Sequence, residues 1–211
     1  MAGKLTLIGL TGYKQHGKST VAQRLVDEHG FTRLSFAGPL KAMADRINPV
    51  VGIHAYQDGD EFVAEPIHLD VARAMNPDEG DLKEAYPLYR NFLQTLGTEG
   101  LRAVDDLFWI KLFDAQLAEL YRSGVDRVVV DDARFPNEAE YFHVGKENGM
   151  TAAVWQVTRP GAGTPEDTHA SEAYVGKLGE ERHLKNAGTI EELNELVDAI
   201  VAPYLTEEEG K

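Results

Sequence analysis

Residues 12–19 read GYKQHGKS, which is G-x-x-x-x-G-K-S, a spacing that carries chemistry. Gly12 and Gly17 allow a tight loop whose backbone N–H groups turn inward toward oxyanions. Lys18 brings an ammonium to the β- and γ-phosphates of a nucleoside triphosphate, and the Ser19 hydroxyl is a hard ligand suited to Mg²⁺. Thr20 can support the α-phosphate side. Tyr13, Lys14, Gln15 and His16 supply the rest of the loop backbone, with His16 expected to be a bystander. A glycine-rich turn without a ligand is the bland alternative. The context favours phosphate binding, because an apolar run precedes the loop and an amphipathic helical pattern follows it.

Phosphoryl transfer also calls for a metal-side carboxylate and for arginines. Residues 128–132, VVVDD, place Asp131 and Asp132 where an apolar strand ends. Asp132 is preferred as the metal-side group, because Arg134 two residues on shares its direction along an extended backbone. Plain strand-end capping is the alternative for either aspartate. Arg33, Arg90, Arg102, Arg134 and Arg159 are the candidates for neutralising phosphate charge, since a guanidinium donates two parallel hydrogen bonds. For any one of them a solvated surface position is the competing reading. Arg159 opens the Gly/Pro-rich stretch RPGAGTPEDTHASE, a loop suited to closing over phosphates. Gln94 offers an amide for a base edge. Trp109 lies in a helical stretch, where core packing competes with stacking on a nucleobase. None of the seven histidines sits in a zinc-ligand pattern.

The elements that must position these groups follow from periodicity. Residues 4–11 read as a buried strand, and Val21, Leu25 and Val26 mark a helix that Gly30 stops. Residues 31–37 suggest a second strand, and Pro39 suits the first turn of a helix. Between 48 and 82, VVGIHAY and EFVAEPIHL suggest strands about a QDGD turn; LDVARAM suggests a short helix, and NPDEGD a loop. Residues 87–122 are helical with a break expected near Gly97–Gly100. Residues 126–130 and TAAVWQVT read as strands, with a helix from Pro136 between them. Thr189 and Glu192 form a capping-box signature for a last helix near 190–203. Strands alternating with helices predict an α/β fold with a mostly parallel sheet, as one domain over 1–211.

Composition excludes several classes. With 21 Lys+Arg against 35 Asp+Glu, the net charge is −14, so general binding to nucleic acid or an anionic membrane is not expected. The chain has no cysteine, which removes disulfides, thiolate metal sites and cysteine nucleophiles. No secretory signal and no apolar run of about 18 residues occurs, so a soluble, cytoplasmic protein is expected, in the host cytoplasm if viral. An N-K-x-D guanine-reading segment is missing, which points from GTPases toward small-molecule phosphotransfer.

Several segments together resemble the deoxynucleoside monophosphate kinases of tailed bacteriophages. They are GYKQHGKST, FAGPLKAMA (36–44), RNFLQTLGTEGLR (90–102), VVVDDARFPNEAE (128–140), HASE (169–172) and NAGTIEEL (186–193). The resemblance implies a P-loop fold like that of nucleoside monophosphate kinases, a parallel sheet flanked by helices. It also implies a helical acceptor-binding region (about 40–105) and a LID (about 159–180). The implied reaction moves the γ-phosphate of ATP to deoxynucleoside 5′-monophosphates with Mg²⁺, for phage DNA precursor synthesis. Carried over by position, Lys18, Asp132, Arg134 and Arg159 are catalytic, with Ser19 and Asp132 at the metal. Residues 12–20, Asn186 and Gly188 bind ATP. Arg33, Phe36, Lys41, Arg90, Gln94, Arg102, Trp109 and Glu172 form or flank the acceptor site, with His169 on the LID side. Gly38 stands where the related F-A-D-P-L-K pattern has Asp. A kinase of another small acceptor, such as dephospho-coenzyme A, and a non-catalytic nucleotide-binding regulator are the alternatives; monomer and homodimer both stay open.

Overall fold

The computed structural model describes residues 4–162 and 173–205. The chain divides into two compact units, residues 37–109 and the remainder on either side.

The larger unit is built on a five-stranded sheet in the order β2-β5-β1-β6-β7, every neighbouring pair parallel. Its strands are β1 (Thr6–Thr11), β2 (Thr32–Leu34), β5 (Arg127–Val130), β6 (Thr151–Thr158) and β7 (Arg182–Lys185). Parallel strands need crossovers, and these are helical: α1 (Lys18–His29) follows β1 and α7 (Pro136–Glu147) joins β5 to β6. The alternation of side chains along each strand sends Ile8, Leu10, Val129 and Trp155 to one face, against Val21 and Leu25 of α1. Val197 and Val201 of α8 (Ile190–Leu205) complete that layer. Leu7, Val128, Val130 and Val154 point the other way, against Phe142 of α7 and Phe113 of α6 (Phe108–Arg122). β1 is buried along its whole length, which is why it reads as a continuous apolar run. Each fully buried Val, Leu, Ile or Phe contributes roughly 1.5–3 kcal/mol, so these two layers hold the sheet.

The smaller unit begins with α2 (Gly38–Ile47), started by Pro39 as expected. Next comes an antiparallel hairpin of β3 (Val50–Asp58) and β4 (Glu61–His68). The turn falls at Gly59-Asp60, inside the QDGD segment. α3 (Leu69–Met75), α4 (Glu79–Ala85) and α5 (Pro87–Gln94) follow. Two expectations are corrected here. The NPDEGD segment is not all loop, because Asp78 caps α4 by accepting from Gly80 N–H and Asp81 N–H. Nor does the helical path break at Gly97–Gly100: it continues as a π-helical stretch over Thr95–Arg102 and breaks at residues 105–107. Packing explains that continuity. A Cβ on Gly97 would meet Leu40 at 2.7 Å, and Trp109 Nε1–H donates to the Gly97 carbonyl at 2.9 Å.

Candidate active site

The G-x-x-x-x-G-K-S loop leaves the C-terminal end of β1, central in the sheet, and runs into the N-terminus of α1. That is where open α/β sheets bind ligands and where a helix end favours anions. Gln15 (φ 63°) and Gly17 (φ 101°) both adopt left-handed backbone, which turns the loop back on itself. Gly17 has a second reason to lack a side chain: a Cβ there would lie 2.6 Å from Asn186 Nδ2. Lys18 folds over the loop, its Nζ donating to the carbonyls of Gly12 (2.7 Å) and Tyr13 (2.8 Å). Ser19 is exposed on the first turn of α1, and Lys14 and Gln15 are exposed on the loop.

Asn186, at the end of β7, braces this loop. Its backbone N–H donates to the Thr158 carbonyl (2.7 Å) and its Nδ2 to the His16 carbonyl (3.1 Å). The side chain is buried, so its amide N–H serves the phosphate loop. Beside it, Lys185, Asn186, Ala187, Gly188, Glu192 and Leu193 line a cavity of about 300 Å³. Thr189 and Glu192 close the capping box at the start of α8: Thr189 N–H donates to Glu192 Oε2 (2.9 Å) and Glu192 N–H to Thr189 Oγ1 (3.3 Å).

At the end of β5 the two aspartates divide their partners. Asp131 forms an ion pair with Arg33. Asp132 accepts from Ser35 Oγ–H (2.8 Å) and from Phe36 N–H (2.9 Å), which fixes the chain leaving β2. Phe36 is 2% exposed in an aromatic cluster with Phe113, ring centroids 4.3 Å apart. It is therefore core in this conformation and does not present a face to an acceptor. Arg134 lies half-buried in the turn before α7, where the buried Glu138 accepts from Arg134 N–H (2.9 Å) and Phe135 N–H (3.1 Å). Arg159 is exposed one residue beyond β6. His169 and Glu172 lie outside the described residues, as does much of the expected LID.

In the smaller unit, Arg90 and Gln94 sit four residues apart on α5, one exposed and one half-buried, and so share a helix face. Arg102 is half-buried at the end of the π-helical stretch. Trp109 is 3% exposed with its indole N–H bonded to Gly97, so base stacking by this ring is corrected to a packing role. Lys41 approaches Glu79 (3.8 Å), which also pairs with Lys83 (3.0 Å) and Arg73 (3.1 Å). Burial alone would raise the Glu79 carboxyl; Lys41, Lys83 and Arg73 together hold it below its ordinary range. The buried Tyr89, whose hydroxyl donates to Glu79 at 3.2 Å, is pushed up to about 12, mainly by burial. Glu79, Arg73 and Tyr89 lie outside any motif, so no local sequence signal marks them.

Among the described residues, no three His, Asp or Glu side chains gather into a metal cluster. Mg²⁺ commonly binds through one or two protein oxygens, with phosphates and water completing its shell. The Ser19 hydroxyl and the Asp132 carboxylate are hard oxygen donors of that kind.

A parallel sheet with a phosphate loop at the tip of its central strand defines the P-loop NTPase class of fold. Residues 81–197 match the model of the family described as deoxynucleotide monophosphate kinase. The chain belongs to that family, and as a member it is a nucleotide kinase. It is similar to the "Deoxynucleotide monophosphate kinase" of Enterobacteria phage T4, with 24% identity across 90% of this chain and 95% of that protein. The "Putative deoxynucleotide monophosphate kinase" of Acanthamoeba polyphaga mimivirus is 31% identical over 89% of this chain and 92% of that one. Among solved structures, a "putative kinase" from Chloroflexus aurantiacus J-10-fl shares the fold. Its TM-score is 0.51 and its identity 15%, over 95% of this chain and 96% of that one. No described helix is long and apolar enough to cross a membrane.

Proposed function

We propose that this chain transfers the γ-phosphate of ATP to deoxynucleoside 5′-monophosphates, yielding deoxynucleoside diphosphates and ADP for DNA precursor synthesis. The observation that carries the reading is the loop at residues 12–19, folded at the tip of β1 in a member of this family. Loop N–H groups and the α1 terminus hold the phosphates of ATP. A phosphate oxygen is a stronger, charge-assisted acceptor than the carbonyls of Gly12 and Tyr13, so Lys18 exchanges them for it. Ser19 and Asp132 would hold Mg²⁺, which would supply neutralisation of the phosphate charge. The cavity beside Asn186 and Gly188 takes the adenine end.

The transition state of phosphoryl transfer is loose, so positioning and charge neutralisation matter more than proton abstraction. Arg134 and Arg159 supply that charge. Lys41, Arg90, Gln94 and Arg102 are assigned to the acceptor, Lys41 exchanging Glu79 for its phosphate.

The test is a coupled ADP-release assay with ATP and Mg²⁺ against four dNMPs, four NMPs and dephospho-coenzyme A. Turnover with one or more dNMPs supports the assignment and sets the base range. Turnover with dephospho-coenzyme A alone, or with no acceptor at all, overturns it.

A further inference from the structure

We propose that His16 is a positioning residue that couples the phosphate loop to the turn presenting Arg159. Its ring is buried, 5% exposed, and each nitrogen faces a backbone carbonyl. Nδ1 lies 3.1 Å from the Val157 oxygen and Nε2 lies 2.8 Å from the Ala162 oxygen. Carbonyl oxygens only accept, so the imidazole can only donate to them, and its ring spans the gap between the two segments.

The two carbonyls belong to one short piece of chain. Val157 is the penultimate residue of β6, and two residues on, Arg159-Pro160-Gly161-Ala162 forms a tight turn. Ala162 N–H donates to the Arg159 oxygen at 3.3 Å, Pro160 fills the second position, and Gly161 has φ 76° at the third. That is the pattern of a type II turn, and it is preset by Pro-Gly. Arg159 is its first residue. His16 thus grips both sides of Arg159: the strand before it and the end of the turn after it.

The other end of the clamp is equally fixed. A Cβ on Gly12 would lie 2.3 Å from the Val157 oxygen, so loop and strand end are in close contact there. Asn186 ties the His16 carbonyl to β7, and its own N–H holds Thr158. Tyr13 meets the imidazole edge-on at 5.4 Å. A histidine serving only to fill space needs one partner. This one bridges two segments that must keep register if a guanidinium at position 159 is to reach phosphates held at positions 12–19. The inference rests on the assignment of Arg159 to the transferring group.

The variants are His16→Ala, His16→Asn and His16→Gln, each with and without Arg159→Ala. A misplacement of about 1 Å can cost on the order of 10²-fold, so His16→Ala should lower kcat by up to that factor with less change in the KM for ATP. In the Arg159→Ala background the same substitution should cost less than about 3-fold, because the group it positions is already gone. Glutamine reaches the Nε2 position and should recover part of kcat; asparagine reaches only the Nδ1 position and should not. Hydrogen exchange over residues 157–162 of the free protein should quicken in His16→Ala. Multiplicative losses in the double variant, equal rescue by Asn and Gln, or a harmless Arg159→Ala would overturn the proposal. If the wild-type protein turns over no dNMP, the kinase assignment fails by itself. Unchanged exchange would then still refute the clamp, and faster exchange would still support it.

Discussion

Gly17→Ala probes the brace between the phosphate loop and β7, and its cost can be worked from two contacts. The residue sits at φ 101°, a left-handed backbone that costs alanine roughly 1–2 kcal/mol. Its new methyl would lie 2.6 Å from Asn186 Nδ2, closer than any Cβ is found, so the amide must move. Moving it breaks the 3.1 Å bond to the His16 carbonyl and leaves buried polar groups unpaired, at about 1–3 kcal/mol. The expected loss is therefore about 2–5 kcal/mol. Asn186→Ala alone should cost about 1–3 kcal/mol by orphaning the same carbonyl. In the double variant the obstructing amide is absent and only the backbone cost of Gly17→Ala remains. The two substitutions should thus fall short of additivity by about 1–3 kcal/mol. Urea unfolding of the four proteins measures this directly, provided the slopes agree. If Gly17→Ala costs the same in both backgrounds, within about 0.5 kcal/mol, the brace does not operate as described.

Lys18→Ala should abolish phosphoryl transfer while far-ultraviolet circular dichroism stays that of the folded chain; retained turnover would remove Lys18 from the reaction. Arg102→Ala should raise the acceptor KM much more than the KM for ATP, and equal effects on both would place it outside the acceptor site. The carboxyl of Asp198 is held down to about 2, chiefly by the hydrogen-bonded Arg24, with His29 also in contact at 2.7 Å. A depressed carboxyl stabilises the fold above its unfolded pKa of about 3.9 and loses that contribution as pH falls toward 2. Asp198→Asn should therefore flatten the fall in melting temperature between about pH 4 and 2, while an unchanged slope would show that other groups govern it.

Much of the sheet was legible because its signals are local. β1 reads as an unbroken apolar run because both its faces are buried, and the Thr189–Glu192 box announces α8 within four residues. The phosphate loop is likewise complete within its own motif. What escaped depends on distant partners. β7 carries a single buried side chain, Leu184, and so shows no strand period of its own. Gly97 and Gly100 suggest a break, yet Leu40 and Trp109 hold that stretch helical from elsewhere in the chain. Trp109 in a helical stretch left core packing and base stacking in competition, and Phe36 was placed at the acceptor by resemblance alone; the burial of both makes them core. His16 seemed incidental because its two partners stand 141 and 146 residues away. The apolar run VVV places Asp132 just past the end of its strand, where it stands, but its bonds to Ser35 and Phe36 could not be read from spacing.

The most direct test is ³¹P nuclear magnetic resonance of one reaction containing ATP, Mg²⁺, a dNMP and the enzyme, with Lys18→Ala as the blank. Phosphoryl transfer predicts that deoxynucleoside diphosphate and ADP appear in equal amounts, without free phosphate. ADP accompanied by inorganic phosphate, with the dNMP unchanged, would contradict the account and leave a nucleotide hydrolase or regulator in its place.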